Sequence, residues 1–177
     1  GVGWENPQPI ETSPGNAFFP QVAVDPSGNA VAIWHQYDGE RYNIWANRFV
    51  AGMGWEKAML IETTDAGSAY APQVAVDPAG NAVAVWYQSD GMRNNIWTNR
   101  FVMNSGWRKA TRITMGDAGL AAVPQVAVDA LGNAIIAWYQ YDGIQNNIWG
   151  SRFIAGVGWG AAQPIESNSK VTASIAP

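Results

Sequence analysis

Short apolar segments alternate with polar turns along the whole chain, and one such pattern occurs three times. The stretch Pro72–Trp86 reads P-Q-V-A-V-D-P-A-G-N-A-V-A-V-W, two apolar segments around a tight polar turn. Equivalent stretches begin at Pro20 and Pro124, so successive copies are 52 residues apart. A constant spacing of this length indicates a protein built from structural repeats.

Each repeat contains four segments that the pattern predicts as β-strands, here called A, B, C and D. Valine, isoleucine, tryptophan and phenylalanine are concentrated in them, and glycine, aspartate, asparagine and proline lie between them. The connections from A to D within a repeat are short, which predicts an antiparallel meander. In the first copy the four strands are Gln21–Asp25, Ala30–Trp34, Asn43–Phe49 and Trp55–Glu62.

Both faces of the early strands are apolar. On strand B of the first copy, Val31 and Ile33 point to one side, while Ala32 and Trp34 point to the other. A sheet with one solvated face does not need this, so strands A and B are expected to lie between neighbouring sheets. Stacked four-stranded meanders predict an all-β fold, a β-propeller whose blades are the repeats. A β-trefoil, which also has three repeats, is the alternative.

The A–B hairpins resemble a known repeat family. The motif V-A-V-D-x-x-G-N of Val22–Asn29, Val74–Asn81 and Val126–Asn133 is similar to NHL-type and related bacterial β-propeller repeats. The resemblance implies the propeller fold, and it suggests a secreted or cell-surface bacterial protein. It departs from NHL repeats in repeat length and in the N-I-W-x-x-R-F strand that follows. Because propellers serve many functions, the resemblance does not define an activity.

The repeats divide the chain into one repeat domain, 1–177. The predicted parts are an extra outer strand with its connection (1–19), three blades (20–62, 63–114 and 115–166) and a tail resembling a connection to a further blade (167–177). Four D-like strands accompany only three A–B–C sets, the unmatched one being Trp4–Glu11. We therefore expect either a slice of a longer repeat protein or a homodimer that completes a six-bladed ring.

Composition excludes several classes of function. A net charge of −4 argues against general binding of nucleic acid or anionic membranes. The chain has no cysteine, and it has no apolar run of the roughly 18 residues that span a membrane. Ten tryptophans recur at equivalent repeat positions, which predicts that they fill space between sheets.

Few residues suggest catalysis. His35 is the only histidine, and the other copies have Tyr87 and Tyr139 in its place, so it is interpreted as an aromatic-like packing residue. No histidine or carboxylate cluster has metal-ligand spacing, so neither a metal nor a cofactor is expected. The repeated Asp25 is interpreted as an acceptor for turn N–H groups. These observations predict a non-enzymatic binding or scaffold module.

Any ligand is expected at the end of the blades where the D–A and B–C connections meet, because these loops differ most between copies. Tryptophan rings beside amides and carboxylates suit sugars, so a glycan is one expected ligand. A protein ligand is the other expectation. A lectin-like propeller with a weak site in each blade is therefore the alternative function, and a glycoside hydrolase is a remote one. The same polar residues could instead stabilise the B–C hairpins. The candidates are Trp34, Gln36, Asp38 and Asn43, with their copies Trp86, Gln88, Asp90, Asn95, Trp138, Gln140, Asp142 and Asn147.

Overall fold

The structure is a computed structural model that describes residues 7–64, 67–114 and 119–166. Within these ranges the secondary structure is entirely β, and no helix is long and apolar enough to cross a membrane. The strands form three antiparallel sheets, one for each repeat. The predicted tail and the first part of the predicted strand Trp4–Glu11 lie outside the described residues.

The three sheets have the same strand order, from the innermost strand to the outermost. Blade 1 contains β1 (Ala17–Val24), β2 (Ala30–Tyr37), β3 (Tyr42–Val50), β4 (Gly54–Trp55) and β5 (Met59–Leu60). Blade 2 contains β6 (Ala69–Val76), β7 (Ala82–Ser89), β8 (Asn94–Val102), β9 (Gly106–Trp107) and β10 (Thr111–Arg112). Blade 3 contains β11 (Ala121–Val128), β12 (Ala134–Tyr141), β13 (Asn146–Ile154), β14 (Gly158–Trp159) and β15 (Gln163–Pro164).

The repeated A–B turns close as their residues predict. In blade 1, Asp25 N donates to Asn29 O at 2.8 Å, and Gly28 N donates to Asp25 O at 3.0 Å. Gly28 has a φ of +83°, which glycine adopts without steric cost. The outer strand differs from its prediction, because it is split into β4 and β5, both paired with β3. Ala58, between the two parts, turns into the core instead of joining the ladder.

The innermost strand also differs from its prediction. β1 begins at Ala17 instead of Gln21, and its register against β2 shifts between Phe18 and Gln21. Within this bulge Phe19 has a φ of +52°, and Ala71 and Val123 have similar values at the equivalent positions. Positive φ is unfavourable for residues other than glycine, so each blade holds a strained residue on its inner strand.

The blades stack through two different faces. We call the side carrying Ile44, Ile96 and Ile148 the isoleucine face, and the side carrying Trp34, Trp86 and Trp138 the tryptophan face. One core joins the isoleucine face of blade 1 to the tryptophan face of blade 2, and a second core repeats this between blades 2 and 3. Stacked four-stranded meanders of this kind are propeller blades, so the predicted β-propeller is confirmed and the β-trefoil is not.

Candidate functional site

The tryptophans and glutamines of the predicted sugar site lie inside the blades. In blade 1, Trp34 Nε1 donates to Gln36 Oε1 at 3.0 Å, and Gln36 Nε2 donates to the carbonyl of Ser13 at 2.6 Å. The Trp86–Gln88 and Trp138–Gln140 pairs repeat the first bond at 3.1 and 3.0 Å. All of these side chains are buried, and in blades 1 and 2 the glutamine amides connect strand B to the D–A connection.

The aspartates and asparagines of the predicted site close the B–C turns. Asp38 Oδ1 accepts the backbone N–H groups of Arg41 and Glu40 at 2.9 and 2.8 Å, and Asn43 Nδ2 donates to Asp38 Oδ2 at 2.6 Å. Those backbone hydrogen bonds hold the pKa of Asp38 below its usual value. The pairs Asp90–Asn95 and Asp142–Asn147 repeat the arrangement. The six aspartates and asparagines thus stabilise the B–C hairpins, and a sugar contact by any of the twelve residues stays a prediction.

These turns should make the protein sensitive to acid. Each aspartate has a lowered pKa, so its stabilising effect is present above the unfolded-state value of about 4 and is lost as pH falls through the folded value. We expect urea midpoints to drop as pH falls below about 4, and to drop less in the triple variant D38N/D90N/D142N. Glu40→Gln is the control, because that exposed carboxylate only pairs with Arg41 at the surface. An equal acid response in both variants would contradict the assignment.

A second group of residues at the same end of the blades was not predicted as a site. Phe18, Phe19, His35 and Tyr42 of blade 1 meet Tyr70 of blade 2, and we call this group the His35 crevice. The His35 ring lies 5.2 Å from Phe19, 5.0 Å from Tyr42 and 5.4 Å from Tyr70 between centroids. Phe19, 65% exposed, is the strained bulge residue of β1, so it offers an accessible aromatic surface beside the imidazole.

His35 is only 4% exposed, and its Nδ1 atom has no hydrogen-bond partner among the residues that the structure describes. Burial lowers the pKa of His35, so the imidazole is neutral at neutral pH. A buried polar atom without a partner costs free energy, and such atoms are rare in folded proteins. A lowered pKa and an unpaired nitrogen together mark His35 as a candidate functional residue.

The crevice is specific to the junction of blades 1 and 2. At the position of His35, blades 2 and 3 have Tyr87 and Tyr139, and at the position of Tyr42 they have Asn94 and Asn146. Tyr70 also stacks at 5.7 Å on Tyr87, which extends the aromatic row across blade 2. The sequence carries a signal for this group, because blade 1 differs from blades 2 and 3 at several aligned positions.

Other features of the described residues do not form a competing site. Among them, no group of three or more histidine, aspartate or glutamate side chains could hold a metal ion. A groove of about 700 Å³ lies at the outer edge of blade 1, between Thr12, Trp45 and Lys57. It is open and lies on the tryptophan face, on the opposite side of the blade from His35.

Comparisons with solved structures agree on the architecture. A polysaccharide lyase described as a PL25 ulvan lyase has a TM-score of 0.62 at 12% identity, over 86% of this chain and 44% of the lyase. An α-L-arabinanase of Penicillium chrysogenum has a TM-score of 0.62 at 15% identity, over 92% of this chain and 54% of its own. A protein of the GH130 family of mannoside phosphorylases and glycoside hydrolases has a TM-score of 0.53 at 12% identity, over 88% of this chain and 50% of its own.

These similarities establish a β-propeller fold, and the chain spans about half the length of the structures it matches. No family model matches the chain, and no curated protein matches it either. The propeller fold that the hairpins implied is therefore confirmed, while the similarity to NHL-type repeats remains one of motif.

The prediction of a non-enzymatic binding or scaffold module is wrong on this finding. The solved structures that share the fold are a polysaccharide lyase, an arabinanase and a protein of a family of mannoside phosphorylases and glycoside hydrolases, so each is named as an enzyme that acts on carbohydrate. The prediction rested on the lack of a repeated or motif-based site, whereas the aromatic group around His35 draws its residues from four strands of two blades.

Proposed function

We propose that this chain supplies three blades of a propeller that binds and cleaves a polysaccharide, and that the sugar chain occupies the His35 crevice. The observation that carries the proposal is the buried, neutral imidazole of His35, with an unpaired Nδ1, among four aromatic side chains. Because polysaccharides are largely extracellular, we also propose that the protein is secreted or displayed on the cell surface.

The aromatic residues supply binding. Sugar rings carry apolar C–H faces that pack against aromatic side chains, and both Phe18 and Phe19 have exposed ring surface in the crevice. Tyr42 and Tyr70 add hydroxyl groups that can donate to or accept from sugar hydroxyls. Aromatic surface beside a few polar groups thus offers both the stacking and the hydrogen bonding that a sugar unit needs.

His35 supplies the proton transfer. Cleavage of a glycosidic bond by hydrolysis or by β-elimination requires a group that accepts or donates a proton, and a neutral imidazole accepts one at neutral pH. The turn aspartates are less suitable, because their carboxylates accept backbone N–H groups of their own hairpins. The geometry of the described residues therefore favours His35 over a pair of carboxylates as the reacting group.

The test is turnover of neutral and uronic-acid polysaccharides by the protein and by His35→Tyr. Tyrosine is the residue that blades 2 and 3 use at this position, so the blade should keep its fold while it loses the imidazole. We expect turnover to fall about 100-fold or more, in line with the loss of a general acid or base. Wild-type turnover should persist as pH falls below about 6.5, the usual histidine value, because burial lowers the pKa of His35.

Tyr139→Phe in blade 3 is the matched control and should retain turnover. Release of reducing ends without ultraviolet absorbance indicates hydrolysis, whereas unsaturated, absorbing ends indicate elimination. The proposal is overturned if the wild-type protein cleaves none of the polysaccharides, or if His35→Tyr turns over as fast as wild type with an unchanged thermal midpoint.

A further inference from the structure

Two sheet faces of the chain carry exposed apolar residues whose copies at the internal junctions are buried or partly buried. On the isoleucine face of blade 3, Ile148 is 41% exposed, whereas Ile44 and Ile96 are fully buried at the two internal junctions. On the tryptophan face of blade 1, Val22 and Val24 are 63% and 61% exposed. Their copies Val74 and Val76 pack against the core between blades 1 and 2, so the two exposed faces match the two halves of an internal junction.

The exposed faces also carry the two halves of a polar contact that crosses each internal junction. The guanidinium of Arg48 lies 5.5 Å from the centre of the Phe101 ring, and that of Arg100 lies 3.9 Å from the Phe153 ring. Such cation–π contacts stabilise and orient the surfaces that form them. The third arginine of this series, Arg152, is exposed on blade 3, and the third phenylalanine, Phe49, lies on blade 1.

The A–B turns approach each other closely at the same junctions. A side chain on Gly80 would meet Asp25 Oδ2 at 3.3 Å, and one on Gly132 would meet Asp77 Oδ2 at 3.1 Å. Glycine therefore lets the aspartate turn of one blade lie against the turn of the next. Asp129 of blade 3 and Gly28 of blade 1 are the remaining aspartate and glycine of this series.

One segment already covers part of the exposed face of blade 1. Asn47 Nδ2 donates to Ile10 O at 2.9 Å, as Asn99 Nδ2 donates to Ile61 O at 2.7 Å. Ile10 also packs beside Trp34. The segment around Ile10 therefore lies on blade 1 as the segment around Ile61, at the outer edge of blade 1, lies on blade 2. The residues Gln8–Glu11 read Q-P-I-E, and so do Gln163–Glu166 at the end of blade 3.

We propose that the isoleucine face of blade 3 in one copy docks on the tryptophan face of blade 1 in a second copy, so that two chains close a six-bladed ring. Each junction then has the contacts of the internal ones, with Arg152 over Phe49 and Asp129 beside Gly28 of the other chain. The segment around Ile165, which is exposed in blade 3, takes the place of the identical segment around Ile10 of the other chain. It then accepts the hydrogen bond from Asn47 of that chain. Six blades lie within the range of four to eight that propellers typically have.

The experiment is the mass of the chain by sedimentation over a range of concentrations, for wild type and two matched variants. Ile148→Asp places a charge at the centre of the proposed interface and should weaken the dimer about 100-fold or more. Ile144→Asp is the control, because Ile144 is exposed in the B–C loop outside that face, and it should remain dimeric. Ile10→Ala weakens the competing segment and should tighten the dimer.

The proposed contact of Arg152 with Phe49 is tested separately by Arg152→Glu, which should weaken association, while Arg41→Glu, in a loop outside that face, should not. A wild-type protein that is monomeric at all concentrations overturns the proposal, as do open-ended polymers. Equal dissociation of the Ile148→Asp and Ile144→Asp variants also overturns it. Mass and turnover are independent measurements, so failure here is distinguishable from failure of the proposed polysaccharide cleavage.

Discussion

Replacing Trp86 with alanine should lower the free energy of unfolding by about 3–5 kcal/mol, the cost usual for a large buried aromatic residue. Trp86 is fully buried on the tryptophan face of blade 2, in the core that joins blade 2 to blade 1. Truncation removes dispersion contacts on both blades and leaves a cavity, because the β-ladder on either side prevents the sheets from closing. The loss should therefore appear as weaker packing between blades.

The measurement is urea unfolding followed by circular dichroism, with Trp55→Ala as the control. Trp55 is the same residue type on the short outer strand β4, and it is 41% exposed. Its ring packs mainly on Phe49 of its own blade, at 5.5 Å between centroids, so its removal should cost less than half as much. Equal losses in the two variants would show that the inter-blade core does not dominate stability.

Replacing Gln88 with leucine should be almost as damaging, with a loss of about 3 kcal/mol. Gln88 is fully buried, accepts from Trp86 Nε1, and donates to Glu62 Oε2 at 3.0 Å and to Thr64 O at 2.7 Å. Leucine has a similar volume but makes none of these bonds, so several buried polar groups lose a partner at once. One of them is a buried carboxylate, and leaving such a charge with fewer hydrogen bonds is costly.

Gln125→Leu is the control for this variant. Gln125 is exposed, and its side-chain amide donates to the carbonyl of Pro124 at 3.0 Å. Its loss should change the urea midpoint little. Because Trp86 and Gln88 share a hydrogen bond, the double variant W86A/Q88L should lose less than the sum of the two single losses. A Gln88→Leu protein as stable as wild type would mean that the network contributes nothing to stability.

Much of the architecture followed from periodicity. Strands B and C were predicted to within a few residues, because alternating apolar side chains, Asp-Gly turns and the 52-residue spacing act locally on each hairpin. The bulge at Phe19 was not predicted. A phenylalanine before a proline gives no sign of positive φ, and only the pairing of β1 with β2 forces it. The split of the outer strand likewise depends on Ala58 reaching the core of its own sheet.

The sequence alone determined the repeats, the four-stranded blades and the loop end at which a site should lie, since all three follow from neighbouring residues along the chain. Only the tertiary structure decided which side chains meet there. Gln36 and Asn43 turned inward, because their amides donate to the carbonyl of Ser13 and to the carboxylate of Asp38. His35 met Phe19 and Tyr70, because a bulge and the stacking of two blades bring together residues that no local pattern connects.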